Sequence, residues 1–203
     1  MESSSSTIIE EIDAMRKAGL VSLAFFYCDF REDPKKDRRG LLSSVLVQLC
    51  HQSNAYCDIL SNLYMLHDKG SRQPSDNSLV QCLKDMTKLP GQAPVYLIVD
   101  ALDECPNTHA LPSSRKKVLL LVQELIESKI PDLRICVSSR PETDIKAVLE
   151  PLAPNSISLH DESGQMEDIN DYIKSVVNSS MKRLKAEDKQ LIVDVLIKNA
   201  NGM

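Results

Sequence analysis

Three acids, Asp100, Asp103 and Glu104, fall within five residues, directly after the apolar run Val95-Tyr96-Leu97-Ile98-Val99. Carboxylates in this number suit a hard cation. Mg²⁺ is typically held by one or two carboxylates, with waters and phosphate oxygens completing its shell, and a further acid can orient water. Downstream, Ser138-Ser139-Arg140-Pro141 adds a second group with chemical potential. Arg140 offers a planar, permanently charged donor fork for a phosphate oxygen, and Ser138 and Ser139 add weaker donors. Each piece also has a structural reading, as acids opening a helix or as an arginine paired with a surface carboxylate. The order strand, DxxDE, helix, strand, SSRP is what joins them into one nucleotide-type site.

Such a site needs two strands that end side by side. Residues 94–99 form a continuous Val- and Ile-rich run opened by Pro94, which suits a strand buried on both faces of a parallel sheet. Asp100 then stands where the strand emerges, at the edge where ligands bind in open α/β sheets. Residues 133–139 (LRICVSS) read as the neighbouring short strand, ended by Pro141, and residues 20–30 (LVSLAFFYCDF) as another, ending near Asp29.

Helices are expected between the strands. Ile8, Ile9, Ile12 and Met15 recur at helical spacing until Gly19. Leu41, Leu42, Val45, Leu46 and Leu49 make a second stripe, and residues 56–67 a third helix. Ser75, Asp76 or Asn77 is placed to cap a helix carrying Leu79, Val80, Leu83 and Met86. Residues 116–129 carry a wide apolar stripe suited to lying on a sheet, and residues 142–149 a short helix. A weaker fourth strand is expected over residues 156–160, then helices over residues 166–177 and 186–200. Alternating strands and helices imply right-handed βαβ units, hence a parallel α/β sheet with helices on both faces.

With 203 residues, 42% hydrophobic content and a formal charge of -5, the chain suits a globular domain with no basic face for nucleic acid. A metal-dependent nuclease is disfavoured by the same lack. No apolar run approaches the ~18–20 residues of a membrane span. The N-terminal serines bring no basic region followed by an apolar core, so the chain reads as intracellular. Six cysteines occur singly, without a CxxC pair, and are expected to be reduced packing thiols. Four scattered histidines give no zinc spacing. The charged stretch from Arg31 to Arg39 mixes both signs and reads as a solvated loop.

IVDALDEC resembles the Walker B motif of NACHT-type signal-transduction NTPases, and LRICVSSRPE resembles their sensor strand. FFYCDFREDPKKDRRGLLSSVLVQLC is similar to their second strand and following helix. The likeness covers nearly the whole chain and is greatest to the nephrocystin-like N-terminal NACHT modules. It implies a three-layer P-loop NTPase-like fold over residues 1–180, with residues 181–203 opening a following helical region. It also implies ATP or GTP with Mg²⁺ as ligand. By that resemblance Asp100 is the magnesium-linked acid, Asp103 and Glu104 position or activate water, and Arg140 is a phosphate sensor with Ser139 beside it. The implied setting is cytoplasmic, with protein partners reached through flanking effector or repeat domains.

One departure matters. The phosphate-cradling G-x-x-x-x-G-K-[ST] loop occurs nowhere in the sequence. In the family it precedes a helix resembling STIIEEIDAMRKAGL, so the chain reads as a fragment beginning just after that loop and lacking the first, central strand. Without the nest of backbone N–H groups and the lysine, weak or no nucleotide binding is expected of this chain alone. Without the strand, residues 133–139 are expected to have an unpaired side unless residues 156–160 close it, which favours marginal stability or self-association. The competing function is a non-catalytic interaction module or degenerate remnant.

Overall fold

The computed structural model describes residues 4–32, 36–108, 112–157, 163–181 and 184–200. Two compact units divide the chain, Met1–Ala153 and Pro154–Met203.

The first unit is built on a parallel sheet of three strands in the order β1 (Ser22–Tyr27), β2 (Val95–Asp100), β3 (Leu133–Val137). Ser22 lies opposite Val95 and Tyr27 opposite Asp100, while Val95 lies opposite Leu133 and Val99 opposite Val137. The strand bearing the acids is therefore central. Its residues are buried on both sides except for partial exposure at Tyr96, as the unbroken apolar run required.

Alternation along the strands sorts the sheet's faces. Ala24, Phe26, Val95, Leu97 and Val99 join the larger core, with Leu133, Ile135 and Val137 of β3 packed against it. Helices α2 (Arg38–Cys50), α4 (Asp76–Thr87) and α5 (Ser114–Glu127) supply the rest of that core, through Leu42, Leu83 and Leu119 among others. On the opposite face Leu23 and Ile98 pack with Ile9 of α1 (Ser4–Lys17). On that face Arg134 and Cys136 of β3 are exposed. The layers are thus helix, sheet, helix, with α1 alone on the thinner side among the described residues.

Polar residues at the helix starts set their boundaries. The carboxylate of Asp37 accepts from Gly40 N at 2.8 Å, the hydroxyl of Ser75 from Ser78 N at 3.1 Å and that of Ser113 from Lys116 N at 3.2 Å, each satisfying a donor with no intrahelical partner. Of the three candidate caps before α4, Ser75 is the one used. Gly19 ends α1 with φ +73°, a left-handed conformation natural to glycine. Helices α3 (Asn54–Leu66) and α6 (Thr143–Leu149) complete the unit.

Two expected strands are shorter than their apolar runs. β1 stops at Tyr27 because its partner Asp100 is the last residue of β2; Cys28 N still donates to Asp100 O at 2.9 Å, but Ala101 then turns left-handed at φ 54° and takes β2 away from residues 29–30. Leu20 and Phe30, at the two ends of the run, are exposed. β3 ends at Val137, opposite Val99, although Ser138 still bonds to Val99 O through its N–H. The fourth strand expected over residues 156–160 falls partly outside the described residues; Ser156 and Ile157 lie in no strand, and Ile157 is 76% exposed. Among the described residues β3 pairs with β2 alone.

The outer edge of β1 is closed by side chains instead of a strand. Gln48 Oε1 accepts from Phe25 N at 3.0 Å and Gln48 Nε2 donates to Phe25 O at 2.7 Å. One helical turn on, Gln52 repeats the pattern on Leu23 at 2.9 and 2.6 Å. Two amides four residues apart, Gln48 in α2 and Gln52 in the turn just after it, thus mimic a neighbouring strand and blunt the edge against pairing.

In the second unit α7 (Ser163–Ser180) and α8 (Ala186–Ala200) contact each other, and Val177 and Val193 are buried. Among the described residues no helix is long and apolar enough to cross a membrane.

Candidate functional site

The carboxyl ends of β2 and β3 are joined by one serine. Asp100, 9% exposed, accepts a hydrogen bond from the Ser138 hydroxyl through Oδ1, and Ser138 Oγ in turn accepts from Ala101 N at 3.1 Å. Main-chain bonds reinforce the junction, from Ser138 N to Val99 O at 2.9 Å and from Leu102 N to Ser138 O at 3.0 Å. The left-handed Ala101 turns the chain out of the strand into a single 3₁₀ turn, Leu102–Glu104. Leu102 is fully buried and anchors that turn in the core.

Asp103 and Arg140 meet each other. Arg140 N donates to Asp103 Oδ1 at 3.0 Å, and Arg140 Nε lies 3.5 Å from Asp103 Oδ2. The Asp103 side chain is 11% exposed and that of Arg140 81%, so the guanidinium rides at the surface over an enclosed carboxylate. Glu104 is half-buried, its N–H bonded to Ala101 O at 2.9 Å. Ser139 is exposed and its hydroxyl donates to Arg140 O at 3.0 Å. Ser138, rather than Ser139, is the serine that reaches the acids. Among the described residues no three His, Cys, Asp or Glu side chains are placed to hold a metal ion together, because Asp100 points to Ser138 and Asp103 to Arg140.

Arg115 holds this loop from beneath and was missed in the sequence. Only 11% of its side chain is exposed. It donates to Asp103 O, to Cys105 O at 3.0 Å and to Asp144 Oδ1 of α6 at 3.4 Å. Asn107 donates to the other Asp144 oxygen at 3.3 Å and accepts from Ser113 Oγ at 3.0 Å. A cation in the first turn of a helix opposes the macrodipole, but Lys116 and Lys117 share that turn of α5, so the sequence carried no signal that singled out Arg115.

At the end of β1, Asp29 accepts from Arg31 N and Nε through Oδ1 and from a terminal guanidinium nitrogen through Oδ2, all at 2.9 Å. That pairing holds the Arg31 guanidinium above its usual range. Cys28 and Cys105 are both buried, and the neighbouring Cys105 and then burial push the Cys28 thiol well up. Two clefts lie elsewhere. One of about 750 Å³ runs beside the outer edge of β1 and one of about 430 Å³ adjoins α3; neither is lined by Asp100, Asp103, Glu104 or Arg140.

Fold and site together define an α/β protein whose central parallel strand delivers an acid-bearing loop to the sheet's carboxyl edge, tied there to the neighbouring strand. The family described as "Nephrocystin 3, N-terminal" matches residues 3–140, from α1 through Arg140, and the chain belongs to that family. No curated protein and no solved structure matches the chain.

Proposed function

We propose that the chain is the acid-bearing half of a nucleotide-switch module of a signalling NTPase, of the NACHT type, whose ligand is ATP or GTP with Mg²⁺. The observation that carries this reading is the junction of β2 and β3: a central parallel strand ends in Asp100, bonded to the Ser138 hydroxyl, with Asp103, Glu104 and Arg140 following on the same edge. Family membership over residues 3–140 supports it. The residues present fit the metal side of such a ligand. A carboxylate and a hydroxyl suit the water shell of Mg²⁺, whose charge would screen that of the phosphates. They do not fit the phosphates, because the sequence has no Gly-rich Lys-Ser or Lys-Thr loop. Asp103, Glu104 and Ser139 keep the roles of water-positioning acids and nearby donor in this reading. Partners lie on flanking effector or repeat domains, in the cytoplasm.

A second reading, a non-catalytic interaction module, is favoured by the engagement of Asp103 with Arg140: the two proposed functional groups satisfy each other and serve the fold. Calorimetry separates the two. Titrating the 203-residue chain with Mg-ATP or Mg-GTP is expected to give no micromolar binding, and micromolar binding would overturn the half-site proposal. A protein extended by a strand and a G-x-x-x-x-G-K-S loop should bind nucleotide in a Mg²⁺-dependent way, weakened by Asp100→Asn, with Glu104→Gln trapping the nucleotide. If the extended, folded protein binds none, the interaction module stands.

A further inference from the structure

Away from the acids, the turn between α2 and α3 brings two thiols to the mouth of an apolar pocket. Cys50 is the last residue of α2, Cys57 lies in the first half of α3, and only residues 51–53 connect the two helices. Cys57 Sγ donates to Cys50 O at 3.0 Å, and Cys50 Sγ donates to Tyr56 O at 3.6 Å. Each sulfur is thus held against the backbone beside the other cysteine. Cys57 is exposed and Cys50 half-buried. Behind them the pocket encloses about 430 Å³, with Leu60, Leu63, Tyr64 and Leu79 among its walls. Burial, and then the neighbouring Cys57, pushes the Cys50 thiol up to about 12, so it is a neutral thiol at physiological pH.

We propose that Cys50 and Cys57 form a dithiol site for a soft, thiophilic centre carrying one apolar group, the chemical class exemplified by trivalent organoarsenicals. Soft centres select sulfur ligands. A trivalent arsenic takes two sulfurs and keeps one carbon substituent, which matches a sulfur pair backed by an apolar wall. In the reaction with R–As=O both S–H bonds break and two As–S bonds form. The oxo oxygen leaves as water with the two thiol protons; arsenic stays trivalent and neither sulfur is oxidised. A cation needing three or four protein ligands fits less well, since among the described residues no third His, Cys, Asp or Glu joins the pair. Access sets this pair apart from Cys28, Cys82 and Cys105, which are buried; Cys136 is exposed but lies on β3, away from the turn between α2 and α3 in the sequence. The site is independent of the nucleotide reading.

The test uses the full reduced chain with phenylarsine oxide as probe. Mass spectrometry should find one equivalent bound with loss of one water, mapped to peptides containing Cys50 and Cys57. The adduct should survive excess glutathione and be released by 2,3-dimercaptopropanol. Cys57→Ser, at an exposed position, should lower retention against glutathione by about two orders of magnitude, the usual advantage of two tethered contacts over one. Cys50→Ser should do the same, whereas Cys136→Ser should change nothing, with circular dichroism verifying that each variant is folded. An adduct on Cys28 and Cys105, one that persists in Cys57→Ser, or none on the folded wild-type chain would overturn the proposal.

Discussion

Ser138→Ala tests whether one hydroxyl joins the ends of β2 and β3. The substitution removes two bonds, the donation to Asp100 Oδ1 and the acceptance from Ala101 N at 3.1 Å. It leaves the main-chain bonds of Ser138 to Val99 and Leu102 in place, so the sheet should persist. A hydrogen bond to a charged group contributes about 1.5–3 kcal/mol and a neutral one about 0.5–1.5 kcal/mol. With Asp100 only 9% exposed, water replaces these bonds poorly, and a loss of about 2–4 kcal/mol is expected. For a urea dependence of roughly 2–3 kcal/mol per molar, that is a midpoint lower by roughly 1–2 M. Because the chain has two compact units, far-UV circular dichroism should be paired with a local probe, the hydrogen exchange of the Ala101 amide. That amide should exchange faster in Ser138→Ala and regain most of its protection in Ser138→Thr, which restores the hydroxyl. Unchanged exchange at Ala101 together with an unchanged midpoint would refute the role assigned to Ser138.

Three other outcomes follow from the same geometry. Gln48→Ala strips Phe25 of both side-chain partners; a stability loss of about 1–3 kcal/mol is expected, with concentration-dependent scattering as the β1 edge opens, and a variant that stays monodisperse and equally stable would count against edge protection. Arg115→Met keeps the apolar stem but leaves two carbonyls without this donor and Asp144 with Asn107 in place of the guanidinium, for a loss of about 2–4 kcal/mol; amide exchange at Glu104 and Cys105 should rise, and unaltered protection there would show that the loop holds itself. In alkali, burial keeps the Cys82 thiol protonated up to about 11 and Cys50 up to about 12, whereas in the unfolded chain thiols ionise from the ordinary value near 9. Raised folded values mean that this contribution is complete below pH 9 and is lost as pH rises through 11 to 12. Urea midpoints at pH 8 to 11 should therefore fall less steeply in Cys82→Ala than in the wild-type chain, and parallel slopes would sink the assignment.

Much of the fold was legible because strand and helix leave different periods in the sequence. The run ending in Asp100 marked a strand buried on both faces, and it is the central strand. The stripe Leu41, Leu42, Val45, Leu46, Leu49 is buried in full along α2, and the last helix spans residues 186–200 as its pattern implied. Strand ends were less legible. An apolar run states what can be buried, whereas a strand ends where its partner ends, and the partner of Tyr27 lies 73 residues away at Asp100.

By itself, then, the sequence determined the order of the layers and the presence of three acids, two serines and an arginine at the carboxyl ends of adjacent strands. Local spacing suffices for that, because burial and periodicity act residue by residue along one element. Which of those groups meet was decided only in the folded chain. Asp100 faces Ser138, 38 positions on, Asp103 is taken by Arg140, and Arg115 ties the loop to α6. Gln48 in α2 and Gln52 in the turn after it, unremarkable in the sequence, become the edge of a sheet. A hydrogen bond requires two atoms within about 3 Å in a fixed orientation, and between distant residues only the tertiary packing supplies that.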